Sequence, residues 1–181
     1  MPVLTLGLPP RKTQTAFNLR RWTGLLADPE LAKVEGRIET DRHGRIIMSP
    51  PPAPSHGSLQ ARIAFLLQTF LSEGCVLTEC PVSTADGVKA ADVAWASNER
   101  MEALGEQVCF SRAPEICVEV VSPGNTEAEI REKRALYFDA GAREVWICAR
   151  TGAVSLFISN ATRPARASEI CPEFPRKVAR R

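Results

Sequence analysis

The chain is poor in residues and motifs that several familiar catalytic sites require. It has two histidines, His43 and His56, and no Gly-x-Ser-x-Gly sequence surrounds any serine, so a Ser-His-Asp hydrolase has little support. A glycine-rich loop of the kind that cradles phosphates is also missing. The sequence therefore argues against a serine hydrolase and against a phosphate-loop enzyme.

Cysteine pairs and long apolar runs are missing too. The cysteines are Cys75, Cys80, Cys109, Cys117, Cys148 and Cys171. None forms a Cys-x-x-Cys pair and several lie in apolar stretches, so we expect buried reduced thiols and neither a disulfide framework nor a zinc site. No segment approaches the roughly 18 uninterrupted apolar residues of a membrane span, and the first residues lack a signal-peptide pattern. We therefore expect a cytoplasmic protein with no membrane partner.

Neither sign of charge dominates the whole chain, but charge is unevenly distributed. Lysine and arginine total 23 against 21 aspartate and glutamate, a net charge of +2. Residues 159–181 hold six of the basic residues and two of the acidic ones, which leaves −2 on residues 1–158. This basic tail could hold the backbone of a nucleic acid, or it could be solvated, as short basic ends often are.

The remaining composition, 44% hydrophobic and 24% charged, is typical of one globular domain. We expect an N-terminal extension with a packing helix over residues 1–32 and the main domain over residues 33–158. The tail at 159–181 mixes proline, arginine and alanine, and we expect it to be disordered or to lie across the surface.

Three helices are predicted from periodicity and capping. Apolar residues at helical spacing between Leu19 and Leu26 predict the N-terminal packing helix. A stripe of six apolar residues predicts a second helix over Ser58–Glu73. Thr126 and Glu129 have the spacing of a capping box, which predicts a third helix that runs to about Ala140.

Strand patterns occupy most of the intervening sequence. A hairpin is predicted around Asp41-Arg42-His43-Gly44, and the proline-rich run that follows stops it. Further strands are predicted in CVLTEC, KAADVAWA, PEICVEVVS, REVWICA and AVSLF. Alternating strands and helices predict an α/β fold built on a central sheet.

Two acidic residues lie inside apolar strand segments. Both faces of the strand around Glu119 look buried, and a carboxylate there is costly unless a cation or hydrogen-bond donors compensate it. Asp92 lies in the similar segment Lys89–Trp95. Alternatively, Glu119 stands at an exposed strand end and Asp92 forms a turn. On neighbouring strands, the two carboxylates could share one hard cation such as Mg²⁺.

Lys133 lies on the predicted capped helix. Ile130 and Tyr137 lie on the same helical face, so Lys133 points partly inward if they face the sheet. The alternative is a lysine that extends to solvent, since the helix is charged all round.

Several motifs also occur together in one order. They are Arg37-Ile38-Glu39-x-Asp41-x-x-Gly44, Ala91-Asp92-Val93-Ala94-Trp95, Pro114-x-x-x-Val118-Glu119-x-x-Ser122-Pro123, Glu132-Lys133, Tyr137 and Gly141-Ala142-Arg143-x-x-Trp146. In this order they resemble the Uma2 (Uma-two) family, a bacterial family of restriction endonucleases in the PD-(D/E)XK nuclease superfamily. The resemblance covers roughly Lys33 to Phe157.

The resemblance implies a restriction-endonuclease-like mixed sheet flanked by helices, and it implies roles for particular residues. Asp92 matches the acid of the Pro-Asp motif, with Ala91 in place of the proline, and Glu119 matches the second acidic ligand. The superfamily places a lysine two residues after that acid, where this chain has Val121. The family draws its lysine from the following helix instead, at Lys133.

The implied activity is hydrolysis of phosphodiester bonds in nucleic acid, expected to be DNA, with Mg²⁺ or Mn²⁺ as cofactor. A metal held by Asp92, Glu119 and the Val120 carbonyl would polarise the scissile phosphate and activate water, and Lys133 would stabilise the developing charge.

Three residues are accessory candidates. Glu39 matches a further family carboxylate, and Tyr137 belongs to the motif set. His56 could line the cleft near the metal or make a local hydrogen bond at a helix start. We expect a homodimer, since such domains often pair to cut two strands. The alternative is a catalytically inactive nucleic-acid-binding or protein-interaction module on the same fold, which Val121 favours.

Overall fold

The computed structural model describes residues 10–158 and 163–179, and within these ranges the chain forms four α-helices and seven β-strands. The helices are α1 Arg11–Leu26, α2 Pro54–Phe70, α3 Asn98–Leu104 and α4 Glu127–Asp139. The strands are β1 Arg37–Thr40, β2 Ile46–Ser49, β3 Cys75–Thr84, β4 Gly87–Ala96, β5 Ile116–Val120, β6 Glu144–Cys148 and β7 Val154–Ile158. The predicted elements are therefore present, and α3 is an additional helix.

The main sheet is mixed and has the strand order β3-β4-β5-β6-β7. Strands β5 and β6 are parallel, and every other neighbouring pair in this sheet is antiparallel. A parallel pair needs a crossover connection, which α4 provides between β5 and β6. The mixed α/β fold predicted from the sequence is confirmed.

The strands direct apolar side chains to both faces of the sheet, and helices cover both faces. On one face, Leu59, Ile63 and Leu67 of α2 pack in a cluster that includes Val118. On the other face, Cys117 belongs to a second apolar cluster, which includes residues of α4 and of the neighbouring strands. Successive residues of a strand point to opposite faces, so Glu119 lies on the same face as Cys117, beneath α4.

Helix α2 begins earlier than the periodicity predicted, at Pro54 instead of Ser58. Proline is tolerated in the first turn because the backbone N–H that it lacks would have no helical partner there. The proline run therefore ends the hairpin and also starts the helix. This shift brings His56 into the first turn of α2.

The predicted N-terminal helix is present, but its buried face is partly polar. Gln14 and Asn18 are buried together with Trp22 and Leu25, whereas Leu26 is exposed. The Asn18 side-chain amide donates to Ser83 Oγ and to two backbone carbonyls at the β3–β4 turn. Hydrogen bonding as well as apolar packing therefore holds α1 against the sheet.

The C-terminal segment packs against the core, which corrects the expectation of a disordered or surface-lying tail for residues 163–179. Cys171, Phe174 and Val178 are at most 5% exposed and belong to the α2-side cluster. The Phe174 ring lies 4.5 Å from the Trp146 ring, measured between centroids. The apolar residues are too widely spaced among polar ones and prolines to show a period. The rest of the predicted tail, residues 159–162 and 180–181, lies outside the described residues.

Cys75 is half-buried and the other five cysteines are buried, and none of the six forms a disulfide, as the sequence led us to expect. Burial raises the pKa of Cys80 and of Cys117, so these thiols are held in their neutral form. Within residues 10–158 and 163–179, no helix is both long and apolar enough to cross a bilayer.

Candidate active site

Asp92 and Glu119 lie next to each other on neighbouring antiparallel strands. The β4–β5 ladder ends with Val93 opposite Val118, and Asp92 and Glu119 are the next residue on each strand beyond that pair. The charge of Asp92 contributes to the raised pKa of Glu119, so the two carboxylates lie close together. Both carboxylates are buried, with 1% and 4% of the residue exposed, so their charges must be compensated within the protein.

Asp92 is surrounded by donors and positive charge. Its Oδ2 accepts the backbone N–H of Val120, its Oδ1 accepts a guanidinium N–H of Arg37, and His56 Nε2 lies 3.3 Å from Oδ1. Burial raises the pKa of Asp92, but the contact with His56 and the charge of Arg37 outweigh it and hold the pKa below its usual value. Asp92 is therefore a carboxylate at neutral pH.

Glu119 is held differently. Tyr137 Oη donates to Glu119 Oε1 at 2.7 Å, and Lys133 Nζ lies 3.3 Å from Oε2 and 3.4 Å from Oε1. Burial raises the pKa of Glu119 to about 7. The charge of Lys133 lowers this pKa, but the nearby charge of Asp92 raises it and partly offsets the effect of Lys133. Two neighbouring acids thus differ in how readily they ionise.

Lys133 points into the protein and joins two acids. Its Nζ lies 2.8 Å from Glu39 Oε1 as well as beside Glu119, and its side chain is 21% exposed. Burial lowers the pKa of Lys133, but the charges of Glu119 and Glu39 outweigh it and raise the pKa above its usual value. Lys133 is therefore a fixed cation, and the solvent-exposed alternative does not hold.

Helix α4 sets the positions of Lys133 and Tyr137. Thr126 accepts the N–H of Glu129, and the Glu129 side chain accepts the N–H of Thr126, so the predicted capping box is formed. Lys133 and Tyr137 are four residues apart and therefore share the helical face that looks onto Glu119. The start of α4 determines which residues reach the acids.

Glu39 connects the small hairpin to the site. Strand β1 pairs with β2 in a separate two-stranded sheet, and Glu39 Oε1 accepts the backbone N–H of Ala90 in β4 at 2.9 Å. The same oxygen accepts from Lys133. The hairpin is thereby anchored to β4 beside Asp92 and positions Lys133 through Glu39.

The acids open onto a cavity of about 710 Å³ between the hairpin, α2 and α4. The sequence-predicted residues on its lining are Glu39, His56, Asp92, Glu119, Val120 and Lys133. One wall is the proline-rich segment 50–53, and another is the loop 121–125. Tyr137 is fully buried and contacts the site through Glu119. All the candidate residues are therefore brought together, and their catalytic roles stay predictions.

Three residues of the site were not predicted as functional. Arg37 donates to Glu79 through Nε at 2.6 Å and through one terminal nitrogen at 2.9 Å. Gln60 donates to Glu79 Oε1 and to the Asp92 carbonyl oxygen, each at 2.9 Å. Arg37 stands in one of the motifs, which was a usable signal. Gln60 and Glu79 carry no signal, since only the fold brings α2 and β3 to β1.

The donor set suits a hard divalent cation with few protein ligands. Among residues 10–158 and 163–179, no three His, Cys, Asp or Glu side chains are placed to hold a metal together. Asp92 and Glu119 would supply two carboxylates and Val120 a carbonyl oxygen, with water completing the shell, as Mg²⁺ tolerates. Glu39 and Glu79 add negative charge, and Arg37 and Lys133 are the cations that contact these four acids. This surplus of carboxylates fits an additional cation.

Comparisons with known proteins identify the fold and the family of the chain. The structure is similar to the crystal structure of a putative nuclease belonging to DUF820 from Anabaena variabilis ATCC 29413, with a TM-score of 0.64 and 17% identity over 80% of this chain and 90% of that one. This likeness shows that the two chains share a fold. The model of the Uma2 family, described as a putative restriction endonuclease, matches residues 27–175, and the chain belongs to this family. No curated protein matches the chain.

The family match confirms the resemblance found in the motifs and extends it. It continues beyond Phe157, where the motifs ended, to residue 175. The matched region thus includes Phe174 and Cys171, which the structure places in the core. The C-terminal segment as far as residue 175 therefore belongs to the region that the family model matches.

Proposed function

We propose that this protein is a divalent-metal-dependent nuclease that hydrolyses phosphodiester bonds in DNA. The observation that carries the proposal is the pair of buried carboxylates, Asp92 and Glu119, which line one cavity together with the inward-pointing Lys133. The family description and the nuclease fold support the same class of activity.

Each group has a separate role in this proposal. Asp92, Glu119 and the Val120 carbonyl would hold the metal, which when bound polarises the scissile phosphate and lowers the pKa of a bound water. Asp92 is held ionised, and the Val120 N–H orients its second oxygen. Lys133 offers a fixed positive charge at the cavity, where negative charge develops on the phosphate.

The position two residues after Glu119 is Val121, so the usual lysine of the superfamily is absent there. Lys133 Nζ reaches within 3.3 Å of the Glu119 carboxylate from α4. A cation delivered from a helix can act at the same place as one delivered from the strand, because the electrostatic effect depends on the position of the ammonium and not on its origin in the chain. Glu39 then keeps this ammonium in place.

The test is nicking of supercoiled plasmid with Mg²⁺ or Mn²⁺ and with chelator. We expect nicking only with the metal, and a loss of about three orders of magnitude in rate for Asp92→Asn or Glu119→Gln. Lys133→Met should lose about two to three orders of magnitude, as when a preorganised transition-state donor is removed. Lys33→Met is the matched control, since Lys33 pairs with Glu30 on the surface.

Metal binding is measured separately from cleavage. Mn²⁺ should raise the melting temperature of the wild-type protein and of Lys133→Met, and it should have little effect on Asp92→Asn. Nicking that persists in chelator, or that survives both acid substitutions, would contradict the proposal. Parallel assays with single-stranded RNA decide between DNA and RNA as substrate.

The second candidate is an inactive nucleic-acid-binding module on the same fold. Two observations favour it. Position 121 is valine and not lysine, and the protein's own cations already contact the acids, Arg37 at Asp92 and Lys133 at Glu119. It predicts binding of DNA without stabilisation by Mn²⁺ and without nicking. The homodimer also stays a proposal, and light scattering of the purified protein measures it directly.

A further inference from the structure

The pairing between β3 and β4 is interrupted opposite Asp92. Thr78 pairs with Val93 and Cys80 pairs with Ala91, so the register leaves Glu79 facing Asp92 without a ladder pair. Glu79 has a φ of 51° and is the one non-glycine residue of the described chain with a positive φ. A residue with a side chain adopts this conformation rarely, and such strain tends to occur at functional sites.

The interruption has a definite structural result. The Gln60 side-chain amide donates a hydrogen bond to the Asp92 carbonyl oxygen and another to Glu79 Oε1. The Glu79 carboxylate in turn accepts two hydrogen bonds from Arg37, through Nε and one terminal nitrogen. The local distortion of β3 therefore directs an acid onto the guanidinium of Arg37.

One edge of the Arg37 guanidinium makes hydrogen bonds to acidic side chains, and the other edge makes none to the part of the chain that the structure describes. The terminal nitrogen that bonds to Glu79 also contacts Asp92, whereas the second terminal nitrogen, Nη1, has no partner among the described residues. Arg37 lines the cavity, and 18% of its side chain is exposed. A guanidinium fixed in this way presents its remaining N–H groups with little further loss of side-chain freedom.

We propose that Arg37 binds a non-bridging oxygen of the substrate phosphodiester through Nη1, with Glu79 and Gln60 as positioning residues. Arg37 lies on the Asp92 side of the acidic pair, and Lys133 lies on the Glu119 side. A phosphate between them would meet two cations. This inference rests on the proposed function, and it adds a substrate-binding group outside the metal ligands.

A purely neutralising role for Arg37 would not require the distortion at Glu79. An arginine that only neutralises Asp92 needs one contact with that acid. Here β3 is distorted opposite Asp92 and supplies a second carboxylate, that of Glu79, to the guanidinium. Bidentate pairing with a carboxylate fixes the plane of a guanidinium, which matters when the other edge must meet a phosphate.

Affinity for fluorescein-labelled DNA, measured by anisotropy with Ca²⁺ in place of Mg²⁺, tests the role of Arg37. We expect Arg37→Gln to weaken DNA binding about tenfold while Mn²⁺ affinity is not reduced. Arg37→Lys keeps the positive charge but loses the paired hydrogen bonds to Glu79. Its affinity for DNA should therefore lie between those of Arg37→Gln and the wild-type protein. Arg42→Gln is the matched control, because Arg42 also pairs with an aspartate, Asp86, but does not line the cavity.

Glu79→Gly separates positioning from stability. Glycine accepts a φ of 51° without strain, so the melting temperature should stay within a few degrees of wild type while DNA binding weakens about threefold or more. Should Arg37→Gln fail to fold, this variant carries the test. Arg37→Gln or Glu79→Gly binding DNA as tightly as wild type overturns the inference alone. Wild-type protein that binds neither DNA nor RNA overturns the proposed function and the inference with it.

Discussion

At the scale of single residues, Asp92 and Glu119 differ although both are buried on neighbouring strands. Contacts with His56 and Arg37 hold Asp92 ionised, whereas burial favours the neutral form of Glu119. Divergent pKa values of neighbouring acids are typical of sites where one group must change protonation when a ligand binds. A divalent cation would displace the proton of Glu119 and convert it into a ligand.

This difference predicts a pH dependence for the metal-free protein. The pKa of Glu119 in the folded state, about 7, lies above its ordinary value of 4.5, so its contribution to stability is fully present below pH 4.5 and is lost as the pH rises towards 7. Glu119→Gln keeps the shape and removes this titration. The melting temperature of Glu119→Gln relative to wild type should therefore rise between pH 5 and pH 8, measured in chelator.

Metal affinity provides the complementary measurement for Glu119. Because Mn²⁺ must displace a proton from Glu119, wild-type affinity should increase as the pH rises towards 7 and level off above it. Titration calorimetry in two buffers of different ionisation enthalpy would detect the released proton. A difference in melting temperature that does not change with pH, together with pH-independent Mn²⁺ affinity, would show that Glu119 is already ionised in the metal-free protein.

At the scale of elements, α4 and the β1–β2 hairpin carry the groups that surround the acids. The sequence pattern predicted both elements, including the capping box at the start of α4. It did not predict that the hairpin would dock on β4 through Glu39 and the Ala90 N–H. A hairpin pattern reports local pairing and contains no information about the surface on which the hairpin packs.

The capping box provides a test of α4. Thr126→Ala removes the side-chain acceptor for the Glu129 N–H and should lower the free energy of unfolding by about 1 kcal/mol, measured by urea denaturation. Thr69→Ala is the control, since the exposed Thr69 hydroxyl bonds to the carbonyl of Phe65 within α2 and caps no helix start. Equal effects of the two substitutions would show that the cap has no special role.

At the scale of the whole molecule, the C-terminal segment completes the core. Phe174 packs on Trp146, and the Val178 N–H donates to the Gly152 carbonyl at 2.8 Å. The segment thereby covers the face of the sheet where α2 also lies. A chain that ended after β7 would expose this apolar surface to water.

Phe174→Ala should therefore destabilise the protein by about 3 to 5 kcal/mol, as expected when a large buried aromatic side chain is truncated. Phe65→Ala should change the stability by less than about 0.5 kcal/mol, because Phe65 is 61% exposed. Both are measured by urea denaturation. A small effect of Phe174→Ala would mean that the segment adds little to the folded state.

The sequence by itself determined the elements and most of the acidic site. Periodicity, turn residues and a capping box predicted the strands and every helix except α3, because these signals act within a few residues of chain. Acids in apolar strands marked Asp92 and Glu119, since burying a charge is costly enough to require a reason. The ordered motifs then indicated Lys133 and the family.

Only the tertiary structure decided which groups surround these acids. Arg37, Gln60 and Glu79 come from three separate elements and meet at Asp92 through packing that no local pattern encodes. The strain at Glu79 and the burial of Phe174 are likewise invisible in the sequence. Both arise from long-range contacts, whose energies depend on where distant segments come to lie and not on their neighbours in the chain.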